Sequence, residues 1–132
     1  MKDSSGNFDS ALSHMYDDLT GADYYSMFFD SIFASLGSIE LAGKCWLDIG
    51  CGNGKLCHKF SQNGIGSAYG LDVSKDQIEI ARKHLSDLEF RFQVQDAYKP
   101  FALGKTFDIV TCIYALHFVP DYQTLLVACE NI

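Results

Sequence analysis

The chain has 132 residues, a length that suits one domain with one hydrophobic core. No apolar run is long enough to span a bilayer, and the polar start, MKDSSGNFDS, lacks a signal-peptide apolar region. The formal net charge of −7 would repel a phosphate backbone, which argues against a nucleic-acid substrate unless another subunit supplies a basic surface. We therefore expect a cytoplasmic protein that binds neither a membrane nor nucleic acid.

The five cysteines give no sign of a disulfide framework or a zinc site. Their number is odd, and no two of them form a C-x-x-C pair. Cys45 and Cys112 fall inside predicted strands, so we expect them to be small buried residues. The histidines show no metal-binding spacing either, and no metal site is predicted.

Residues 1–37 predict a helical arm. Apolar residues recur at helical spacing over residues 8–19, and Gly21 separates this helix from a second one, predicted over residues 22–36. Gly37 can end the second helix. The arm is rich in aromatic residues, which we expect mainly to pack in or over a core.

Residues 38–132 alternate between strand-like and helix-like patterns. Strands are predicted over residues 44–49, 67–73, 89–95 and 107–114. Ser74, followed by Gln77 three residues later, is typical of a capping box at the start of a helix. Strands separated by helices predict right-handed βαβ units, a parallel sheet and an α/β fold. Ligands of such sheets bind beyond the carboxyl ends of the strands, where the strand order reverses.

The third and fourth predicted strands differ in composition. Phe90, Phe92 and Val94 alternate with polar residues, which predicts one buried and one wet face, as at a sheet edge. The run FDIVTCIY is almost entirely apolar, which predicts burial on both faces in the middle of a sheet. Asp108, at the start of this run, is interpreted as structural.

The stretch CWLDIGCGNGKL joins the first strand to a helix through Gly50, Gly52 and Gly54. Glycine lets a backbone approach a ligand closely, and a helix start offers unpaired N–H groups. A P-loop is disfavoured, because Lys55 is followed by Leu56 instead of Ser or Thr. A dinucleotide site fits poorly, because the third glycine of G-x-G-x-G comes one place earlier than in G-x-G-x-x-G.

With Asp48 before the turn, the string D-x-G-x-G-x-G resembles the first motif of the class I S-adenosylmethionine-dependent methyltransferases. Three further elements follow in the family's order: Asp72 after the second strand, Asp96 in the string QDAY, and FDIVTCIYALHFVPD around the fourth strand. The resemblance covers roughly residues 42–121. It implies a Rossmann-like three-layer fold with a mainly parallel sheet, with S-adenosylmethionine as cofactor and S-adenosylhomocysteine as product.

The resemblance also implies a role for each element. Asp72 follows the glycine turn by about 20 residues, where a carboxylate can accept two strong hydrogen bonds from a ribose diol of either an adenosyl or a dinucleotide cofactor. Asp96 would meet the adenine amino group, and Ala97 the adenine ring through its N–H. Cys112, or Ile113 next to it, would offer a carbonyl to the methionine amino group. The predicted cofactor site is Asp48, Gly50, Cys51, Gly52, Asp72, Val73, Asp96, Ala97 and Cys112.

Catalytic and lid residues are less clearly marked. His117, just past the fourth strand, could take a proton from a substrate hydroxyl or amine, with a packed histidine as the alternative. In proteins that this chain resembles, an N-terminal arm often folds over cofactor and substrate, and tyrosines beside a sulfonium are favourable. Tyr16, Tyr24 and Tyr25 are therefore the lid candidates.

The family's sheet has seven strands, whereas this chain stops after the fourth strand and its helix. We therefore expect a lid or arm over residues 1–37 and a cofactor-binding core over residues 38–132 that is truncated after strand four. An exposed apolar strand edge is an association hazard. We expect a second copy, or another partner chain, to cover the fourth strand.

These observations together predict an S-adenosylmethionine-dependent methyltransferase. The acidic charge and the aromatic arm favour a small molecule as the methyl acceptor. Two alternatives remain open: a non-catalytic, methyltransferase-like binding or regulatory subunit, and an NAD-binding oxidoreductase domain.

Overall fold

The computed structural model describes residues 22–86, 89–116 and 119–131. The chain divides into two compact units, and the boundary lies between Glu40 and Leu41. Within the described residues, no helix is long and apolar enough to cross a membrane.

The first unit contributes one described helix, α1, which spans Ala22–Leu36 as predicted. Gly37 follows at φ +61°, and its N–H donates a hydrogen bond to the Ala34 carbonyl. A left-handed glycine directly after the last helical turn is a common way for a helix to end. The helix predicted over residues 8–19 lies outside the described residues.

The second unit alternates strands and helices along the chain. Its elements are β1 (Cys45–Ile49), α2 (Lys55–Gln62), β2 (Ser67–Asp72), α3 (Lys75–His84), β3 (Phe90–Val94), β4 (Ile109–Cys112) and α4 (Tyr122–Asn131). All strand pairs are parallel, and the strand order is β3-β2-β1-β4. The chain builds outward from β1 to β3 and then returns to the other side of β1, so the order reverses between β1 and β4. The predicted α/β fold with a parallel sheet is confirmed, with strands slightly shorter than expected.

One face of the sheet packs against α2 and α3. Trp46 of β1 stacks on Phe60 of α2 with ring centroids 3.9 Å apart, and both side chains are fully buried. Phe92 of β3 lies over Gly70 of β2, where an added Cβ would come within 2.6 Å of the ring. Replacing a buried Phe or Trp by Ala typically costs about 3–5 kcal/mol, so the packing on this face is a major source of stability.

The opposite face is covered by the segment that leads from β3 to β4. Leu47, Ile49 and Leu71 form its buried centre. Six half-buried side chains pack on this centre: Tyr69, Ala97, Phe101, Leu103, Phe107 and Cys112. The sheet is therefore covered on both faces around β1 and β2, in the layered arrangement that was predicted.

Two side chains hold the ends of elements as the sequence indicated. The Cys45 N–H donates a hydrogen bond to Oδ2 of Asp108 at 2.8 Å, which joins the starts of β1 and β4. Ser74 caps α3, because its Oγ accepts a hydrogen bond from the Gln77 N–H. The structural role of Asp108 and the cap at Ser74 are confirmed, but the Ser74 N–H, which would bond to the Gln77 side chain in a capping box, donates to Oδ1 of Asp72 instead.

Some expectations about burial are wrong. Val94 was placed on the buried face of β3, yet it is 43% exposed, because it is the last residue of an edge strand. β4 was expected to be buried on both faces, but Val110 is 37% exposed, and in the described part of the chain β4 pairs with β1 alone. Cys45 and Cys112 are half-buried, since one opens β1 and the other closes an edge strand.

Candidate cofactor site

The three glycines after β1 all have positive φ, of +76° at Gly50, +54° at Gly52 and +83° at Gly54. An added Cβ at Gly50 would lie 2.4 Å from the Ala115 Cβ, and one at Gly54 would lie 2.9 Å from Cδ1 of Leu85. At Gly52 the nearest atom would be the tip of a flexible side chain, at 3.6 Å. Gly50 and Gly54 therefore allow protein segments to pack closely, whereas a Cβ at Gly52 would make only an ordinary contact with the tip of the Gln77 side chain.

The glycine turn is tied to the end of β2. The N–H groups of Gly50 and Cys51 both donate to the Leu71 carbonyl, at 2.7 and 3.0 Å. The Gly52 N–H donates to Oδ2 of Asp72 at 2.8 Å. Cys51 is only 7% exposed, so its side chain contributes to the packing of the turn.

Asp72, the last residue of β2, is bonded to this turn through its carboxylate. Its Oδ1 accepts a hydrogen bond from the Ser74 N–H at 2.8 Å, while Oδ2 accepts from Gly52. Burial raises the pKa of Asp72, and these N–H donors act in the opposite direction. A carboxylate has about four acceptor positions, so each oxygen keeps capacity for a further donor such as a ribose hydroxyl.

Asp48 belongs to β1, and its side chain is buried, with only 3% of the residue exposed. Its Oδ1 accepts a hydrogen bond from Oγ1 of Thr111 at 2.6 Å, and the Cys57 thiol lies 4.0 Å from Oδ2. Nε1 of Trp46 donates in turn to Oγ1 of Thr111 at 2.8 Å. Burial raises the pKa of Asp48 to about 7, with the nearby Asp72 adding to this effect and Thr111 opposing it. The burial of this carboxyl and its hydrogen bond with Thr111 support a structural role under the turn.

Asp96 follows β3 and is held next to the end of β2. The Gln95 N–H donates to the Asp72 carbonyl at 2.8 Å, which joins the two strand ends. Oδ1 of Asp96 accepts from the Tyr98 N–H at 2.9 Å, and Oδ2 lies 3.6 Å from Nζ of Lys99. The Asp96 side chain keeps 29% of its surface exposed, so it remains accessible to a ligand.

The loop of residues 113–116, which we call the β4 loop, faces the glycine turn. The hydroxyl of Tyr98 donates a hydrogen bond to the Ala115 carbonyl at 2.8 Å. Cys112, which immediately precedes the loop, pairs with Ile49 in the sheet register. Burial raises the pKa of the Cys112 thiol to about 11, so it is neutral at physiological pH and not poised as a nucleophile.

The structure brings together most, but not all, of the predicted site. Asp72, Asp96, Cys112 and the glycine turn lie at the carboxyl ends of neighbouring strands. Val73 follows β2 with 43% of its surface exposed. His117 and Tyr16 lie outside the described residues, as do the side chains of Tyr24 and Tyr25. Within the described residues, no group of three His, Cys, Asp or Glu side chains could hold a metal ion.

Sequence reasoning missed two residues of the site. Thr111 is one of them: a threonine hydroxyl inside the otherwise apolar stretch IVTC indicates a buried polar group that needs a hydrogen-bond partner. Tyr98 is the other: it belongs to the string QDAY, but nothing in the sequence around it indicates a partner. Its partner Ala115 lies far along the chain, so only the fold reveals the contact.

A parallel sheet of this strand order, with a glycine turn after β1 and carboxylates after β2 and β3, defines a Rossmann-like nucleotide-cofactor fold. The sequence model of the methyltransferase domain family matches residues 47–132, and the chain belongs to this family. This match decides against the oxidoreductase alternative that the glycine turn had left open.

The chain is similar to a ubiquinone biosynthesis O-methyltransferase from Neisseria meningitidis, with 33% identity over 73% of this chain and 42% of the relative. It thus spans less than half of that relative's length. Among solved structures, an S-adenosylmethionine-dependent methyltransferase from Clostridium acetobutylicum matches with a TM-score of 0.75 and 23% identity, over 92% of this chain and 50% of that one. An amino pentose methyltransferase from Micromonospora echinaspora, solved with S-adenosylmethionine bound, gives a TM-score of 0.68 and 24% identity over 94% and 50% of the two chains. At these identities the two structures show the fold alone.

Proposed function

We propose that this chain binds S-adenosylmethionine and that the protein transfers the methyl group to a small-molecule acceptor. One observation carries the proposal. At the edge of the sheet where ligands of this fold bind, the Asp72 carboxylate is bonded to the N–H of Gly52, the glycine of the turn that is not packed against core residues. This arrangement leaves both an acceptor for a ribose diol and room for the backbone of the turn to approach the ligand.

The strand order supports one orientation of the cofactor. With the ribose on Asp72, the adenine lies beyond β3, near the Asp96 carboxylate and the N–H of Ala97. The methionine portion then extends the other way, over β1 and β4, where Cys112 offers a carbonyl. The proposed site is completed by the turn residues Gly50, Cys51 and Gly52 and by Val73. The buried side chain of Asp48 supports the turn.

When bound, S-adenosylmethionine supplies an electrophilic methyl carbon. The residues of this chain hold the cofactor in place and exclude water, and alignment of this kind can supply several kcal/mol of the barrier reduction. A base is needed only if the acceptor must lose a proton, and His117 is our candidate. The name of the Neisseria relative, an O-methyltransferase, supports a hydroxyl on a small molecule as the acceptor.

The aromatic arm and the cellular location belong to the same proposal. Tyr16, Tyr24 and Tyr25 would act as a lid, because an aromatic face beside a sulfonium is attractive. All five cysteines are free, which is typical of a reducing compartment and supports a cytoplasmic location.

We also propose that a second copy of the chain covers the outer edge of β4. In the described part of the chain β4 pairs with β1 alone, which leaves its outer edge open, and Val110 of this strand is 37% exposed. An apolar edge of this kind favours pairing with another chain.

The test of the cofactor site is calorimetric titration with S-adenosylhomocysteine. Asp72→Asn keeps the size of the side chain but removes its charge, so we expect binding to weaken by roughly tenfold or more, as for a lost charged hydrogen bond. Asp76→Asn is the matched control, because Asp76 is an exposed carboxylate in the first turn of α3, and it should bind like the wild type.

Equal binding by the wild type and Asp72→Asn would remove Asp72 from the site. A folded wild-type chain that binds no S-adenosylhomocysteine would contradict cofactor binding by this chain as a whole. Methyl transfer to small-molecule hydroxyl compounds then tests the second half of the proposal.

A further inference from the structure

The β4 loop adopts a backbone conformation that its sequence does not favour. Tyr114 has φ +54°, and among the described residues it is the only non-glycine with a positive φ. The left-handed region is costly for a residue with a Cβ, and a bulky aromatic residue rarely occupies it without support from its surroundings.

Two contacts support this conformation. On one side, the Tyr98 hydroxyl donates a hydrogen bond to the carbonyl of Ala115, the residue after Tyr114. On the other side, the Ala115 Cβ occupies the space that a side chain at Gly50 would need. The loop is therefore held in place by Tyr98 and packs directly against the glycine turn.

Tyr98 is itself anchored near the end of β3, the edge strand opposite to β4. Its N–H donates to Oδ1 of Asp96, just past β3. Burial and the Asp96 carboxylate raise the pKa of Tyr98, so its hydroxyl stays protonated as a donor at physiological pH. This one residue thus connects the segment after β3 to the segment after β4, across the crevice between them.

We propose that Tyr98 is a positioning residue for the aminoacyl end of the cofactor. This inference rests on the proposed function: with ribose at Asp72 and adenine beyond β3, the aminoacyl end meets the β4 loop and Gly50. The Tyr98 hydroxyl holds the β4 loop in its binding conformation before the ligand arrives. Less conformational entropy is therefore lost on binding.

The test compares two ligands on Tyr98→Phe, which keeps the ring and removes only the hydroxyl. S-adenosylhomocysteine carries the aminoacyl end, whereas 5′-methylthioadenosine lacks it. We expect the dissociation constant of S-adenosylhomocysteine to rise by about tenfold, the scale of one lost hydrogen bond, and that of 5′-methylthioadenosine to stay within about twofold. Tyr122→Phe, at a tyrosine that is 69% exposed, is the matched control and should change neither value.

A second readout does not depend on any ligand. In Tyr98→Phe, hydrogen–deuterium exchange of a peptide covering the β4 loop should become faster, while exchange in α2 stays as in the wild type. Equal weakening of both ligands, or unchanged exchange in the loop, would overturn the role of Tyr98. Failure of the wild type to bind S-adenosylhomocysteine would instead contradict the proposed function, and the exchange experiment would still decide whether Tyr98 holds the loop.

Discussion

The buried carboxyl of Asp48 should make the stability of this protein depend on pH. Asp48 has a pKa of about 7 in the folded chain, against an ordinary value of 3.8, because burial disfavours its charged form. Between these two pH values the folded state binds a proton that the unfolded state has lost. Rising pH therefore favours unfolding over this range, by on the order of 1 kcal/mol for each pH unit.

Asp48→Asn should remove most of this effect. The amide keeps the shape of the side chain and can still accept the hydrogen bond from Thr111, but it does not titrate. We expect the free energy of unfolding, measured with urea, to fall less between pH 4.5 and 7.5 in the variant than in the wild type. The exposed Asp76→Asn should keep the wild-type slope, and parallel slopes for Asp48→Asn and the wild type would contradict the assignment.

The sequence predicted the positions of residues at strand ends and turns better than the contacts of residues inside strands. Asp72, Asp96 and the glycines lie at strand ends or in a turn as predicted, because strand ends and turns are marked by local pattern. Asp48 was predicted to contact the cofactor, whereas its buried position depends on Thr111 and Cys57. A hydrogen bond between residues 48 and 111 joins two strands that only the fold makes neighbours.

At the scale of elements, α3 depends on two different atoms of Ser74. The Oγ atom caps the helix by accepting from the Gln77 N–H, while the backbone N–H donates to Asp72. The first contact stabilises the helix, and the second orients a carboxylate of the proposed site. A substitution of the side chain separates these two functions.

Ser74→Ala should destabilise the protein by about 1 kcal/mol in urea unfolding, the usual effect of losing an N-cap. It should leave the affinity for S-adenosylhomocysteine unchanged, because the N–H that binds Asp72 remains. Ser61→Ala, at a serine near the end of α2, is the control and should lie within about 0.5 kcal/mol of the wild type. If Ser74→Ala weakened binding as much as Asp72→Asn, the Oγ atom would have to act on the site as well.

At the scale of the whole molecule, the arrangement of elements followed well from the sequence. The alternation of strand and helix patterns predicted a parallel sheet, and the structure confirms it. The burial of Val110 was mispredicted, because an apolar run shows only that a strand can be buried on both faces. Whether it is buried depends on what lies beside β4.

Substitutions on β4 can test the proposal that a second copy of the chain covers this strand. Val110→Lys places a charge on the exposed apolar edge, so we expect it to convert a dimer into a monomer in light scattering at micromolar concentration. Val94→Lys is matched to it, since Val94 is an exposed valine on β3, the opposite edge strand, and should leave the dimer intact. A wild-type chain that is monomeric at this concentration would contradict the proposal.

The close approach of Gly50 and Ala115 means that these two positions share the volume of one methyl group. Their sizes are therefore coupled, and Gly50→Ala should be partly relieved by Ala115→Gly in a double-mutant cycle. The relief cannot be complete, because an alanine at position 50 would still have to adopt φ +76°. Exchanging the two residues thus conserves volume but not backbone energy, so the methyl group is better tolerated at position 115.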